Sequence, residues 1–129
     1  MKHDIENSKD VEQLINSFYD KVKQDDVIGF IFNDVAKVNW EKHLPVMYDF
    51  WESVIFSINT YSGNPMEVHM HLNRRVQLAK EHFERWLKLF TGTVDELFEG
   101  KNANIAKEKA ISIATIMETK ITSPFNITR

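Results

Sequence analysis

Apolar residues return every three or four positions along most of this chain and rarely alternate. Val11, Leu14, Ile15, Phe18, Tyr19 and Val22 form one such stripe, which predicts a first helix capped by Ser8, with Asp10 and Glu12 well placed in its first turn. The stretch VIGFIFND then predicts a short helical corner ending near Phe32 and Asn33, limited by Gly29 and its polar exit. A second long stripe runs through Trp40, His43, Leu44, Met47, Phe50, Trp51, Val54, Ile55 and Ile58, with Asn39 as its cap. Pro45 falls inside it and removes one N–H donor, so irregularity is expected beside His43. A third stripe carries His82, Phe83, Trp86, Leu87, Phe90, Val94, Leu97 and Phe98 and stops at Gly100. The last helix, from Ala103 to Lys120, should bury Ala106, Ala110, Ile113, Ala114 and Met117. With no strand-period segment of useful length, no repeat and no low-complexity tract, the pattern predicts an all-α protein.

Between the second and third stripes lies YSGNPMEVH, from Tyr61 to His69. Gly63 gives the backbone freedom a turn needs, Asn64 suits an N-cap, and Pro65 suits the first helical position, where no N–H is missed. Glu67, three residues past the cap, completes a capping-box pattern. The segment therefore reads as a short helix presenting the His69 imidazole, a candidate metal ligand. His71 is a rival, but two residues along a helix turn through about 200°, so only one of the two can face a given centre.

Composition narrows the chemistry. The chain of 129 residues fits one domain, read as 1–129 with residues 1–7 an N-terminal extension and 122–129 a loose tail. A net charge of −3 with interspersed signs argues against a nucleic-acid partner. The absence of cysteine excludes disulfides, thiolate zinc sites, iron–sulfur clusters and thioether-linked haem. MKHDIENSKD lacks an apolar signal core and the apolar runs are too short to span a bilayer, so a cytoplasmic protein without membrane contact is expected.

Tyr19, His43 and Trp86 point inward from three different predicted helices. Each polar group needs a partner, because leaving one buried and unsatisfied costs about 1–3 kcal/mol. A polar ligand held between them would meet that need. Ordinary core packing is the plainer reading of any one of these residues, and a cofactor-free interaction module would satisfy all of them. A non-haem metal protein in a helical bundle is a further alternative, although the paired Glu-x-x-His motifs it would use are missing. Among the remaining polar residues, His3 and His82 read as solvent-facing, and Glu81, Glu84 and Arg85 as an exposed face with modest ion pairing.

The strings FY ending at Tyr19, GFIFND from Gly29 to Asp34, HLPVMYDFWESV from His43 to Val54, YSGNPMEVH, EHFERWLKLF from Glu81 to Phe90 and VDELF from Val94 to Phe98 together cover most of the chain. In that order and spacing the sequence resembles the truncated haemoglobins of the third group. The glycine motifs of the other groups are missing, in agreement with that assignment. One departure is the segment Asn73–Lys80, which lacks the proline and Ser/Thr cap usual before the EHF helix.

The resemblance implies a truncated globin, a 2-on-2 helical sandwich enclosing a haem pocket, with haem b (iron protoporphyrin IX) held noncovalently. It further implies His69 as the proximal iron ligand, with Tyr19, His43 and Trp86 surrounding the opposite, ligand-binding face. Phe32, Met47, Phe50 and Trp51 are candidate apolar contacts to the haem, and Arg74 or Arg75 a propionate partner. The expected function is reversible binding of dioxygen or a related small ligand such as nitric oxide or peroxide. Turnover, as in nitric oxide dioxygenation or peroxidase-like detoxification, would need an external reductase, since the chain has no recognisable reductase segment.

Overall fold

The computed structural model describes residues 2–35, 37–57 and 79–122. The YSGNPMEVH segment, Ile58, His71, Arg74, Arg75 and residues 123–129 lie outside the described residues. Four long helices and one π-helical turn make up the described regular structure, with no strand among the described residues. The all-α prediction holds.

The first helix, α1, spans Ser8–Lys23 and buries the whole predicted stripe. Burying aliphatic and aromatic side chains of this size stabilises by about 1.5–3 kcal/mol each. Its cap is Asn7 rather than Ser8. Asn7 is extended, and its side-chain oxygen accepts from the Asp10 N–H at 3.0 Å. Ser8, already helical, donates its hydroxyl to Glu52 instead.

After α1 the chain turns through a corner into the π-helical turn Ile31–Val35, two residues longer than expected. Gly29 makes the corner possible, because a Cβ there would lie 3.0 Å from the Val22 carbonyl oxygen and 3.2 Å from that of Lys23. Helix α2, Trp40–Phe56, runs unbroken through Pro45. The predicted irregularity takes no visible form as a break, since near the N-terminus and on an exposed face the proline forfeits only one backbone bond. Asn39 stands at the cap position, but its side chain makes no capping bond, and its carbonyl accepts from the N–H groups of Lys42 and His43.

Helix α3 spans Lys80–Leu97 and α4 spans Lys101–Thr122. Ala79 at the cap position of α3 has no side-chain oxygen for the first-turn N–H groups, and His82 makes only the reciprocal half of a capping box, its Nδ1 accepting from the Ala79 N–H at 2.8 Å. His82 is therefore half-buried and engaged, not a free surface histidine. α4 begins two residues earlier than predicted because Asp4 caps it from the far end of the chain. The Asp4 carboxylate accepts from the N–H groups of Asn102 at 2.9 Å and Ala103 at 2.8 Å, where a negative charge also suits the helix dipole. Gly100 admits that approach, with φ +139° and an open Cα where a Cβ would meet the Asp4 side chain at 2.6 Å. Residues of the N-terminal segment thus dock onto the α3–α4 corner. Ile5 is fully buried, its carbonyl accepts from the Asn102 side chain at 2.7 Å, and the His3 carbonyl accepts from the Glu99 N–H.

Helix α1 packs against α2 and α3 against α4, and the pairs are joined through α1–α3 and α2–α4 contacts. This is the two-over-two sandwich. Its centre is aromatic: Trp51 of α2 stacks on Phe90 of α3 at 4.4 Å, and Phe18 of α1 meets Phe90 edge-on at 5.1 Å. Among the described residues, no helix is long and apolar enough to cross a membrane.

Candidate functional site

Beside this aromatic centre, the helices converge on Tyr19. Helix α1 delivers Tyr19 on its buried stripe, and α2 brings His43 edge-on to it, with ring centroids 5.3 Å apart. Trp40, one turn before His43 on the same face, lies 5.2 Å from Tyr19 and 5.6 Å from His43. From the π-helical turn Phe32 completes the enclosure, 6.0 Å from Tyr19 and stacked on Trp40. Lys23 closes the outer side with its ammonium 4.7 Å above the Trp40 ring, a cation–π contact.

Of the three inward polar residues predicted from sequence, Tyr19 and His43 are brought into direct contact. Trp86 joins through an intermediate ring: it meets Phe18 edge-on at 5.8 Å and stacks on Phe90 at 5.7 Å, while Phe18 lies 4.8 Å from Tyr19. Trp40 went unnoticed as a wall residue, although its i, i+3 relation to His43 was legible.

Electrostatics favour hydrogen-bond donation here. Tyr19 is 5 % exposed, and burial pushes its hydroxyl pKa well above the ordinary value, so the group stays protonated and able to donate. The His43 Nε2 atom is also buried. A phenol, an indole and an imidazole offer N–H and O–H donors to an electron-rich small molecule.

The apolar lining fits a flat macrocycle. His43, Met47 and Phe50 recur along one face of α2, and they, together with Phe32 and Trp86, are only half-buried although packed around the core. Trp51 differs: at 2 % exposure and stacked on Phe90, it is a pillar of the core. With a buried phenol, a half-covered apolar face and no thiol for a covalent link, these residues fit a noncovalently held haem. His69, Arg74 and Arg75 lie outside the described residues. Among the described residues, the one grouping of three metal-type ligands is His3, Glu6 and Asp10. It sits at the opposite end of α1, about two and a half turns from Tyr19, with Asp10 already accepting from the Glu6 N–H.

The family model for bacterial-like globins matches residues 3–123. A group 3 truncated haemoglobin of Campylobacter jejuni is 29% identical over 118 residues, covering 89% of this chain and 91% of the relative. A crystal structure of a group III truncated haemoglobin from Campylobacter jejuni superposes with a TM-score of 0.80 at 27% identity, covering 94% of this chain and 95% of the other. The chain belongs to the bacterial-like globin family, as a haem-binding globin that resembles the group III truncated haemoglobins in both sequence and fold.

Proposed function

We infer that the protein holds haem b noncovalently and binds dioxygen, or a related diatomic such as nitric oxide, reversibly in the space bordered by Tyr19, His43 and Trp86. When bound, haem supplies the iron at which such a ligand attaches. The reading rests above all on the Tyr19 phenol, buried, held protonated and set against the His43 and Trp40 rings. A core that needed only volume at this position would be as well served by phenylalanine, since taking a hydroxyl out of water costs free energy that only a hydrogen-bond partner offsets.

Each residue then has a role in its own chemistry. His69 would hold the iron through a neutral ring nitrogen, its other nitrogen donating to an acceptor that fixes the tautomer. Tyr19 and Trp86 would donate hydrogen bonds to an electron-rich ligand, and His43, wedged between Tyr19 and Trp40, would donate as well or control entry. Phe32, Met47 and Phe50 exclude water along the apolar wall, with Arg74 or Arg75 meeting a propionate. Detoxification of nitric oxide or peroxide by this site would draw electrons from a separate cytoplasmic reductase.

The direct test is ligand release from the haem-loaded Tyr19→Phe variant. Stopped-flow displacement of dioxygen should show faster release than in the wild type, while the haem-free variant stays at least as stable. An unchanged release rate would remove Tyr19 from the ligand's surroundings and with it the main support for this function.

A further inference from the structure

Arg85 immediately precedes Trp86 on α3, and its partner is Asp25, at the corner that follows the Tyr19 helix. The Arg85 Nε and Nη2 groups both reach Asp25 Oδ1, at 2.7 Å and 2.6 Å. The other carboxylate oxygen accepts from the backbone N–H groups of Val27 and Ile28, at 2.9 Å and 3.0 Å. The Asp25 side chain is 2% exposed. Every described contact of this carboxylate is charge-assisted, and they tie the corner at the end of α1 to one residue of α3.

A second ion pair joins the same two helices, Lys21 to Glu96 at 3.1 Å, but its side chains are 36% and 60% exposed. Exposed pairs of that kind hold geometry weakly. The planar guanidinium on a buried carboxylate holds it far better. What lies next to the clamp gives it consequence. The Trp86 ring rests on Phe90 and against Phe18, the neighbour of Tyr19, so any rotation or slide of α3 relative to α1 changes where the indole N–H points.

We propose that the Asp25–Arg85 pair is a positioning device for the ligand site, setting the direction of the Trp86 indole N–H relative to the Tyr19 hydroxyl. The proposal rests on the reading of Tyr19 and Trp86 as ligand donors given above. Neither Asp25 nor Arg85 needs to touch haem or ligand. Arginine is required for the forked contact, which lysine can replace only as a point charge.

The test uses haem-loaded protein labelled with 5-fluorotryptophan and bound to carbon monoxide, in the wild type and in Arg85→Gln, Arg85→Lys, Asp25→Asn and Trp86→Phe. Three fluorine resonances arise, one for each tryptophan, and the Trp86→Phe variant assigns its own. In Arg85→Gln and Asp25→Asn the Trp86 resonance should shift and broaden while that of Trp51 stays in place. The carbon monoxide stretching band should move in the direction seen for Trp86→Phe, and Arg85→Lys should recover part of both effects. A Trp86 resonance and a stretching band unchanged in both clamp variants, whatever their melting temperatures, would overturn the proposal. A shifted Trp86 resonance with an unmoved band, in the clamp variants and in Trp86→Phe alike, would uphold the clamp's hold on the indole but remove Trp86 as a ligand donor. Should Arg85→Gln fail to fold, Asp25→Asn, which keeps an oxygen for the two backbone donors, decides the matter alone.

Discussion

At the scale of single residues, the account depends on polar groups that a plain core would not contain. Tyr19 is the sharpest case, since Tyr19→Phe removes a polar group from a buried position and should leave the haem-free protein's melting temperature unchanged or raised. If the Trp86 indole donates to the ligand as proposed, the bond is worth about 1 kcal/mol, so Trp86→Phe should release dioxygen about fivefold faster, measured by stopped-flow displacement. Tyr19 was legible in the sequence because the helical period alone puts it inside, whereas Trp86, on a similar stripe, is only half-buried. Arg85 was not: adjacent glutamates made it look like part of an exposed face, and its partner Asp25 lies sixty positions away in the chain. His82 misled for the opposite reason. It looks solvent-facing on a helix stripe, yet it stands three residues past the cap position of α3, where its ring nitrogen accepts from the Ala79 N–H.

At the scale of elements, the long helices and their buried faces could be read directly, while their ends depended on remote residues. The start of α4 is fixed by Asp4, almost a hundred positions earlier, and no local pattern announces such a cap. Asp4→Ala should therefore lower stability by about 1–2 kcal/mol in urea denaturation, in the range of lost helix caps. Acid should act through the same group and through Asp25. Burial pushes both carboxyls up, but the N–H donors on Asp4, and Arg85 with the Ile28 and Val27 N–H groups on Asp25, outweigh it and hold both below the usual carboxylate range. Because each folded-state pKa lies below the unfolded value of about 3.9, the unfolded chain binds more protons in that interval. The stability these groups contribute is complete above the unfolded pKa and is lost as pH falls through the folded one. Urea midpoints measured from about pH 5 down to about pH 3 should fall, and fall less steeply in an Asp4→Asn, Asp25→Asn double variant. An equal slope in the two proteins would contradict this origin of acid sensitivity.

Across the whole molecule, two helix pairs crossing over an aromatic centre leave a half-covered face along α2, and the donor residues gather beside it. The sequence carried this much because the helical stripes, in their order along the chain, set which face of each helix is buried. It carried less about which aromatic serves the core and which the pocket. Trp51 and Trp40 share the stripe of α2, yet Trp51 stacks into the centre and Trp40 faces Tyr19, a choice made by packing from other helices. The central claim, that this frame holds haem through His69, is tested most directly by following the Soret band during haem titration of the wild type, His69→Ala and His71→Ala, with and without carbon monoxide. The account predicts saturable binding and a carbon monoxide-shifted band for the wild type and His71→Ala, with loss or gross weakening in His69→Ala that added imidazole partly reverses. Wild-type affinity and spectra in His69→Ala would contradict it.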